Sequence, residues 1–429
     1  MSASPEKIAL GDAADRERAV ATFDRNIVVT AGAGTGKTTL LIDRLLHLLA
    51  RNPDPLKITE IVALTFTNKA ANEIKLRLRE RLQSYLDADL AGSPVTEADK
   101  KTAAEVAALI RRYQLSKDEL NGRLLEAIRH IERAEIGTIH SFAATLLRLY
   151  PLEAEVDPQF REDDGKQFER LFDEQWDLWL DQELALTGSH AGDWRIILPK
   201  LPLEQLKTLA QSLCAETVEL GGDREKSGAL PEALSRWLEN LATRAAALVE
   251  RHPEDRQNEK LARAAKAIID VCRHNGSIAE NSLTEERGLL AEKSINAKLK
   301  GWTAEDVAEA LELVRAAQGL AQVDEHLTIL LWRLLVPFAV QFRRFFTHEG
   351  FVSFDGLLIR ARNLVRDHPR VREELKRQYR AILIDEFQDT DPIQYEILLY
   401  LAERSGQSAR DWRAVEPTPG KAFVVGDPK

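Results

Sequence analysis

The chain has 429 residues, of which 44% are hydrophobic and 30% are charged, and its net charge at pH 7 is −10. These values exclude an intrinsically disordered chain, and the length predicts two or three domains. The acidic balance argues mildly against a protein that is basic all over its surface, as nucleic-acid-binding proteins often are, but leaves room for a local basic groove. Cys214 and Cys272 are far apart, so neither a disulfide framework nor a zinc site is predicted.

The N-terminal segment, MSASPEKIALGD, lacks the basic stretch and apolar run of a signal peptide. The most apolar window, residues 327–340, is interrupted by Arg333 and Pro337 and is too short to cross a bilayer. The sequence therefore predicts a cytoplasmic protein with no membrane partner.

Residues 26–39, NIVVTAGAGTGKTT, combine a short apolar strand, a glycine-rich turn and the start of an apolar-periodic helix. In that context the turn has the pattern of a phosphate-binding loop. Small residues let several backbone N–H groups converge on phosphate oxygens, and the helix start adds the positive end of its dipole. The residues expected to bind the nucleotide are Ala31, Gly32, Ala33, Gly34, Thr35, Gly36, Lys37, Thr38 and Thr39.

Within this loop, we expect Lys37 to reach the β- and γ-phosphates and the Thr38 hydroxyl to bind Mg²⁺. The strict pattern begins with glycine, and this chain has Ala31 there; a methyl group costs little if φ is negative. The alternative is an ordinary glycine-rich turn with a lysine nearby.

Further along, residues 61–65 form a second apolar run that predicts a buried strand, and a helix is expected from Thr67 or Asn68. Strands that alternate with helices imply a parallel sheet. Residues 84–133 have a helical pattern without recognisable chemistry. Residues 136–150 begin like a short strand and continue into a helix led by Phe142.

Residues 160–345 have a helical pattern and no catalytic signature. One apolar stripe within them is more typical of a helical core than of a ligand platform: Phe168, Leu171, Phe172, Trp176 and Trp179. Strand–helix alternation resumes near Phe351, where residues 353–355 are expected to precede a helix.

A third apolar run, residues 381–384, ends in Asp385 and Glu386. After a strand, and in a chain with a phosphate-binding loop, such a pair completes a nucleotide hydrolysis site. Asp385 is placed to hold Mg²⁺ through water, and Glu386 to orient and deprotonate an attacking water. An exposed acidic turn is the alternative. A fourth strand, residues 422–425, runs to the end of the chain at the sheet edge where chemistry occurs, so we expect a truncated chain.

Four stretches, in this order, resemble the motifs of the UvrD/Rep-like superfamily 1 DNA helicases: AGAGTGKT (31–38), TFTNKAANEI (65–74), GTIHSF (137–142) and DEFQDTDPIQ (385–394). VVGDPK (424–429) resembles the start of the family's third motif, and SFDGLL (353–358) resembles a segment shortly before the Asp-Glu motif. Thr39 after Gly-Lys-Thr and the long helical inserts favour the RecB/AddA branch, the motor subunits of helicase–nucleases.

The resemblance implies an α/β fold, in which a RecA-like P-loop NTPase domain (a parallel sheet flanked by helices) carries a large all-α insertion domain. The implied boundaries are 1–158 for the N-terminal part of the first RecA-like domain, with a helical insert at about 84–133, 159–348 for the insertion domain, and 349–429 for the C-terminal part of the first RecA-like domain. The implied activity is that of an ATP-dependent DNA helicase that uses ATP and Mg²⁺ in DNA repair and recombination. Its implied partners are single-stranded DNA, or a junction of single- and double-stranded DNA, and further helicase–nuclease subunits.

By the same resemblance, Asp385 would bind Mg²⁺, Glu386 would be the catalytic base and Gln388 would lie near the γ-phosphate, with Lys37 at the phosphates. The implied DNA-contacting residues are Phe66, Asn68, Lys69, Thr138, His140 and Ser141. An aromatic ring can stack on any base, and Asn or Lys reaches phosphates without reading sequence. From the residues alone, Phe66 reads as a core side chain and His140 as a structural histidine.

Arg16 occupies the place where the family has a glutamine that contacts adenine, which puts adenine specificity by that route in doubt. The second RecA-like domain and its arginines are expected beyond residue 429. An arginine finger is worth ~10³–10⁵ in rate, so the chain alone should be nearly inactive. Two alternatives stay open: a nucleotide-dependent binding module completed by another chain, and an inactive gene fragment.

Overall fold

The computed structural model describes residues 13–32, 34–88, 96–185, 188–218, 220, 240–251 without 242, 245 and 249, 303–322 and 325–427. The chain divides into two compact units, Met1–Phe168 with Phe346–Lys429, and Glu169–Phe345. All described strands belong to the first unit, and the described regular structure of the second unit is helical.

The described strands, in chain order, are β1 (Ile27–Thr30), β2 (Ile61–Thr65), β3 (Glu135–Thr138), β4 (Arg161–Asp163), β5 (Phe351–Ser353), β6 (Ala381–Ile384) and β7 (Ala422–Gly426). Five of them form a parallel sheet in the order β1-β7-β6-β2-β3, and β4 pairs with β5 in a separate parallel ribbon. This is the predicted α/β architecture, a parallel sheet flanked by helices.

The helices whose bounds the structure describes are, in chain order, α1 (Ala13–Ala21), α2 (Lys37–Ala50), α3 (Asn68–Asp87), α4 (Glu97–Tyr113), α5 (Lys117–His130), α6 (Ile139–Leu149), α7 (Lys166–Glu183), α8 (Ala191–Ile197), α9 (Leu203–Cys214), α10 (Ala304–Gln322), α11 (Glu325–His348), α12 (Phe354–Asp367), α13 (Pro369–Gln378) and α14 (Pro392–Ala402). Short 3₁₀ turns occur at Ile58–Glu60, Ile131–Arg133, Phe387–Asp389 and Trp412–Ala414. No described helix is both long enough and apolar enough to span a membrane.

The central strands are buried on both faces, which explains why they read as continuous apolar runs. Successive side chains of a strand point to opposite faces. In β6, Ala381 and Leu383 pack in a cluster with helices α2, α3 and α5. Ile382 and Ile384 pack in a second cluster with α6, α12 and α14. Strand β6 therefore lies at the centre of the first unit, with a helical layer on each side.

The register of the sheet brings the carboxyl ends of the strands to one edge. Leu64 is paired with Ile384, and Ile384 with Val424, across β2, β6 and β7. Just beyond β6, the Asp385 backbone N–H donates to the Leu64 carbonyl at 2.8 Å. The segments that follow the strands of this sheet therefore leave the sheet along a single edge.

Two helices begin earlier than the sequence pattern predicts. Helix α6 starts at Ile139 and not at Phe142, because the Thr138 hydroxyl accepts from the Ser141 N–H at 3.2 Å and caps the first turn. Helix α12 starts at Phe354, because Ser353 caps it through the Gly356 N–H at 3.1 Å. Strand β4 was not predicted, since its three residues are all charged and carry no apolar pattern.

In the second unit, the aromatic stripe of α7 forms a core, as predicted. Phe172 and Trp176 are fully buried. The Phe172 ring meets the rings of Phe338 and Phe342 of α11 edge-on, with centroids 6.0 and 5.6 Å away. Cys214 is buried, and Cys272 lies outside the described residues.

Candidate nucleotide-binding and nucleic-acid-contacting site

The turn between β1 and α2 has the backbone geometry that a phosphate-binding loop requires. Gly34 and Gly36 have φ angles of 76° and 87°, in the left-handed region that favours glycine. Helix α2 begins directly after Gly36, so its unpaired N–H groups and the positive end of its dipole face the loop. Ala31 is not among the described residues with positive φ, which explains why its methyl group is accommodated. Ala33 lies outside the described residues.

Three side chains link the loop to the end of β6. The Lys37 Nζ donates to the Glu386 Oε2 at 2.6 Å, and the Gln388 Nε2 donates to the same oxygen at 2.6 Å. The Gln388 Oε1 in turn accepts from the Asp427 N–H at 2.8 Å. Glu386 therefore contacts the lysine of the loop, and Gln388 contacts both Glu386 and the residue that follows β7.

The two acids after β6 are held in different environments. Asp385 is 8% exposed, and burial, followed by the charge of Glu386, raises the pKa of its carboxyl group. Glu386 has φ 53° and ψ 46°, a left-handed conformation that costs a non-glycine residue about 1–3 kcal/mol. Such strain is typical of functional sites, where the surrounding structure fixes a side chain in one place.

The described residues contain no cluster of three or more His, Cys, Asp or Glu side chains that could hold a metal ion by itself. A Mg²⁺ ion commonly binds through one or two protein groups together with substrate phosphates. The donor set fits that pattern: Thr38 supplies a hydroxyl in the first turn of α2, and Asp385 a buried carboxylate whose ionised form a cation would stabilise. Thr38 and Asp385 are therefore the groups that would hold Mg²⁺ beside a nucleotide.

A cleft of about 1090 Å³ opens beside the loop and is lined by α1, β1 and the segment between them. Its lining includes Arg16, Phe23, Asn26, Gly36 and Lys37. The Arg16 Nη2 donates to the Thr35 carbonyl at 2.7 Å, which places this guanidinium against the loop backbone.

A second pocket, of about 120 Å³, lies at the same edge of the sheet. Its lining includes Asp385 and Glu386 together with Phe66 and His140. The fold therefore brings the acids predicted for nucleotide chemistry and two of the residues predicted for DNA contact to a single pocket.

The predicted DNA-contacting residues of α3 lie on the surface. The Phe66 side chain, between β2 and α3, is 64% exposed, so it is not a core residue. Asn68 and Lys69 are exposed in the first turn of α3. The Thr138 and Ser141 hydroxyls, by contrast, are used in the cap of α6, where the Ser141 Oγ donates to the Thr138 carbonyl at 2.8 Å.

One exposed aromatic residue beside this surface has a contact that the sequence pattern does not indicate. Phe354 is 46% exposed, and its ring meets the His140 ring edge-on with centroids 5.6 Å apart. The resemblance of SFDGLL to a helicase segment was the available signal, but the contact with His140 joins residues more than two hundred positions apart. Only the packing of α6 against α12 reveals it.

Comparison with known proteins relates this chain to a helicase family and to helicase/nuclease subunits. The model of the UvrD/REP helicase N-terminal domain matches residues 13–429. A Bacillus pumilus protein, named as the A subunit of an ATP-dependent helicase/nuclease, is 25% identical over 480 aligned residues, which cover 97% of this chain and 35% of that protein. A Limosilactobacillus fermentum protein of the same name is 25% identical over 490 residues, covering 97% of this chain and 33% of that protein.

A shorter match, to the Bacillus mycoides protein of that name, is 32% identical over 175 residues, covering 41% of this chain and 12% of that protein. The chain thus spans about a third of the length of the curated relatives that it matches over almost its whole extent. The resemblance inferred from the four motifs is confirmed, including the similarity to helicase–nuclease motor subunits. The chain belongs to the UvrD/REP helicase family, and its residues 13–429 match the N-terminal domain of that family.

Proposed function

We propose that this chain is the nucleotide-hydrolysing and DNA-contacting part of an ATP-dependent DNA helicase, which couples ATP hydrolysis to movement along single-stranded DNA in repair and recombination. The observation that carries the proposal is the pocket lined by Asp385, Glu386, Phe66 and His140. Nucleotide chemistry and contact with a DNA base would then occur at the same pocket, so binding of one ligand would affect binding of the other.

On the nucleotide side, the proposed reaction is attack of water on the γ-phosphorus, with cleavage of its bond to the bridging oxygen and release of ADP and phosphate. Glu386 would orient the water and accept its proton. The Lys37 ammonium would move from the Glu386 carboxylate to the β- and γ-phosphates, and Gln388 would keep Glu386 tied to the end of β7. A Mg²⁺ ion held by Thr38 and Asp385 would supply neutralisation of phosphate charge.

On the DNA side, the exposed Phe66 ring would stack on a base, and Phe354 beside His140 would offer a second ring surface. Asn68 and Lys69 would contact phosphates, as would the Thr138 and Ser141 hydroxyls where the cap of α6 leaves them accessible. None of these contacts reads a base edge, so binding should be independent of sequence.

We further propose that the helical unit Glu169–Phe345 forms the insertion domain, with boundaries close to 159–348. The matched relatives are about three times as long and carry a nuclease in their name. By the family resemblance, unwinding would use a second RecA-like domain, and partners would include DNA and further helicase–nuclease subunits.

The test is to measure the affinity of the chain for Mg-ATP, and its ATP hydrolysis, with and without single-stranded DNA. We expect DNA to change the nucleotide affinity, and the nucleotide to change the DNA affinity by the same factor, because coupling of two sites is reciprocal. Lys37→Ala is the blank. Nucleotide affinity that is the same with and without bound DNA would contradict a helicase, and hydrolysis by Lys37→Ala at the wild-type rate would contradict the site.

A further inference from the structure

We propose that Gln394 contacts a base of single-stranded DNA in the pocket of about 120 Å³, and that through this contact DNA changes the affinity of the nucleotide site. Gln394 would then be a positioning residue, which acts on the nucleotide through Gln388 and Glu386. The inference rests on the proposed function and names the contact that couples its two ligands. Gln394 belongs to the DEFQDTDPIQ stretch, from which no role for it follows.

The side-chain amide of Gln394 is left for an occupant of the pocket. The residue lies in the first turn of α14 and is only 9% exposed. Its backbone N–H donates to the Asp391 Oδ1 at 3.1 Å, but no hydrogen bond joins its side-chain amide to another described residue. Buried amides are rarely unpaired in folded proteins. Because Gln394 lines the pocket, we infer that its amide pairs with what enters the pocket.

Two further polar side chains of the pocket are in the same state. The Thr390 hydroxyl and the His140 ring form no hydrogen bond with the described residues, and both residues line the pocket. Four further lining residues are apolar and buried: Leu64, Ile139, Ile384 and Leu398. Apolar walls with a few polar groups are typical of a pocket that binds a ligand.

Charge and size favour a base over a phosphate. Asp385 and Glu386 line the pocket, and its described lining contains no lysine or arginine, so a phosphate would be repelled. Sites that enclose a whole small ligand usually have roughly 300–1,000 Å³, so only part of a nucleotide would enter here. A base is uncharged, and the exposed Phe66 ring offers a surface on which it can stack. The Gln394 amide supplies both an acceptor and donors, so it can pair with the edge of any base.

Hydrogen bonds connect Gln394 to the segment that follows β6. The Asp391 carboxylate, which accepts from the Gln394 N–H, caps α14. Directly before it, the Thr390 N–H donates to the Phe387 carbonyl at 3.1 Å and closes the 3₁₀ turn that contains Gln388. A base bonded to Gln394 would therefore fix this turn.

Gln388 carries the effect to the nucleotide site. Its Nε2 donates to the Glu386 Oε2 at 2.6 Å, and the same oxygen accepts from the Lys37 Nζ at 2.6 Å. A nucleotide on the loop would compete with Glu386 for Lys37. A change in the position of Glu386 would therefore change the affinity for the nucleotide.

The experiment measures the affinity of the full chain for Mg-ATP, by displacement of a fluorescent ADP analogue at one fixed salt concentration. It is carried out without DNA, with saturating oligothymidine, and with a saturating abasic strand of the same length, which has the phosphates but no bases. We expect oligothymidine to change the affinity by ~10-fold and the abasic strand to change it much less.

Gln394→Met keeps the length of the side chain and removes its hydrogen-bonding groups. The ratio of affinities with and without oligothymidine should fall to the ratio that the abasic strand gives with wild type. Gln378→Met, the same change at an exposed glutamine of α13, is the matched control and should keep the wild-type ratio. Circular dichroism melts show that the variants fold.

The outcomes separate this inference from the proposed function. A wild-type ratio in Gln394→Met would overturn the inference and leave the helicase proposal intact. An abasic strand that changes the wild-type affinity as much as oligothymidine would also overturn it, because coupling would then pass through the phosphates, and this comparison needs no variant. If oligothymidine leaves the wild-type affinity unchanged, the proposed function fails and the inference with it.

Discussion

The ammonium of Lys37 and the carboxylate of Glu386 form an ion pair with 2.6 Å between Nζ and Oε2, although 349 positions separate them in the chain. The proposed mechanism assigns the ammonium to the phosphates and the carboxylate to the attacking water. A nucleotide on the loop would therefore compete with Glu386 for Lys37, and its binding would release the carboxylate to act as a base.

Replacement of Glu386 by glutamine separates these two roles. We expect Glu386→Gln to lower the rate of hydrolysis by about 10²–10⁴-fold, the usual contribution of a general base. Nucleotide affinity should be kept or increased, because the Lys37 ammonium no longer has a carboxylate partner. Single-turnover hydrolysis and nucleotide displacement give the two quantities. Glu132→Gln, at an exposed pair with Arg79, is the control. Unchanged hydrolysis in Glu386→Gln would exclude this residue as the base.

Removal of either exposed ring should weaken DNA binding. Stacking of a base on an aromatic side chain is worth about 1–3 kcal/mol, so Phe66→Ala and Phe354→Ala should each lower the affinity for single-stranded DNA by ~10-fold. Nucleotide affinity without DNA should not change. Anisotropy of a labelled oligothymidine at one fixed salt concentration measures the effect. Leu76→Ala, which removes an apolar side chain that is 58% exposed on α3, should leave DNA affinity at the wild-type value.

A buried charge cluster near the end of α14 should be important for stability. The Glu403 carboxylate is fully buried and lies 3.4 Å from the Arg372 Nε and 3.2 Å from the Lys376 Nζ. Glu403→Gln would leave two buried cations without this carboxylate, and we expect the free energy of unfolding to fall by about 3–5 kcal/mol. Urea denaturation measures the change. Glu416→Gln, at the exposed pair with Arg404, should cost less than about 1 kcal/mol. Equal losses in both variants would show that the buried cluster has no special role.

The same region should make stability depend on pH. Lys421 is buried, its Nζ donates to the Lys376 carbonyl at 2.9 Å, and burial, followed by the charge of Lys376, lowers its pKa from 10.5 to about 7. The Glu373 carboxylate acts in the opposite direction, and Arg380 in the same one. Between these two pKa values the unfolded chain binds the proton more tightly than the folded chain, so this group makes stability rise with pH, by at most about 1.4 kcal/mol per pH unit.

Comparison with Lys421→Met isolates this contribution. The free energy of unfolding of wild type, relative to the variant, should rise by roughly 2 kcal/mol from pH 7 to pH 9. Lys100→Met, at an exposed lysine of α4, should show no such trend. Stability curves of wild type and Lys421→Met that run parallel over this interval would contradict a lowered pKa.

How far the sequence alone predicts this molecule depends on the kind of signal. The strands β2 and β6 are recognisable because burial on both faces requires unbroken apolar runs, and the phosphate loop because left-handed backbone requires glycine at positions such as Gly36. Helix α13, by contrast, reads as a solvated charged helix, yet Arg372 and Lys376 are buried in it. Their burial depends on Glu403, about thirty residues later, and no local pattern carries that information.

The contacts of Gln388 and Phe354 cannot be predicted from the sequence for the same reason. The motif places Gln388 near the phosphates. Its hydrogen bond from the Asp427 N–H, however, joins the segment after β6 to the residue after β7, the neighbouring strand. The Phe354 ring contact with His140 joins two helices far apart in sequence. Sequence motifs thus identify the groups that take part, and the fold decides which of them touch.

The hydrogen bond from the Asp385 N–H to the Leu64 carbonyl has a mechanical consequence. Leu64 is two residues before Phe66, so this backbone hydrogen bond extends the pairing of β2 with β6 and links Asp385 to the strand that precedes the exposed ring. Backbone bonds at the centre of a parallel sheet are stiff and well packed. We therefore expect a displacement of Asp385 to reach the junction between β2 and α3 directly, so this part of the sheet would move as one rigid piece.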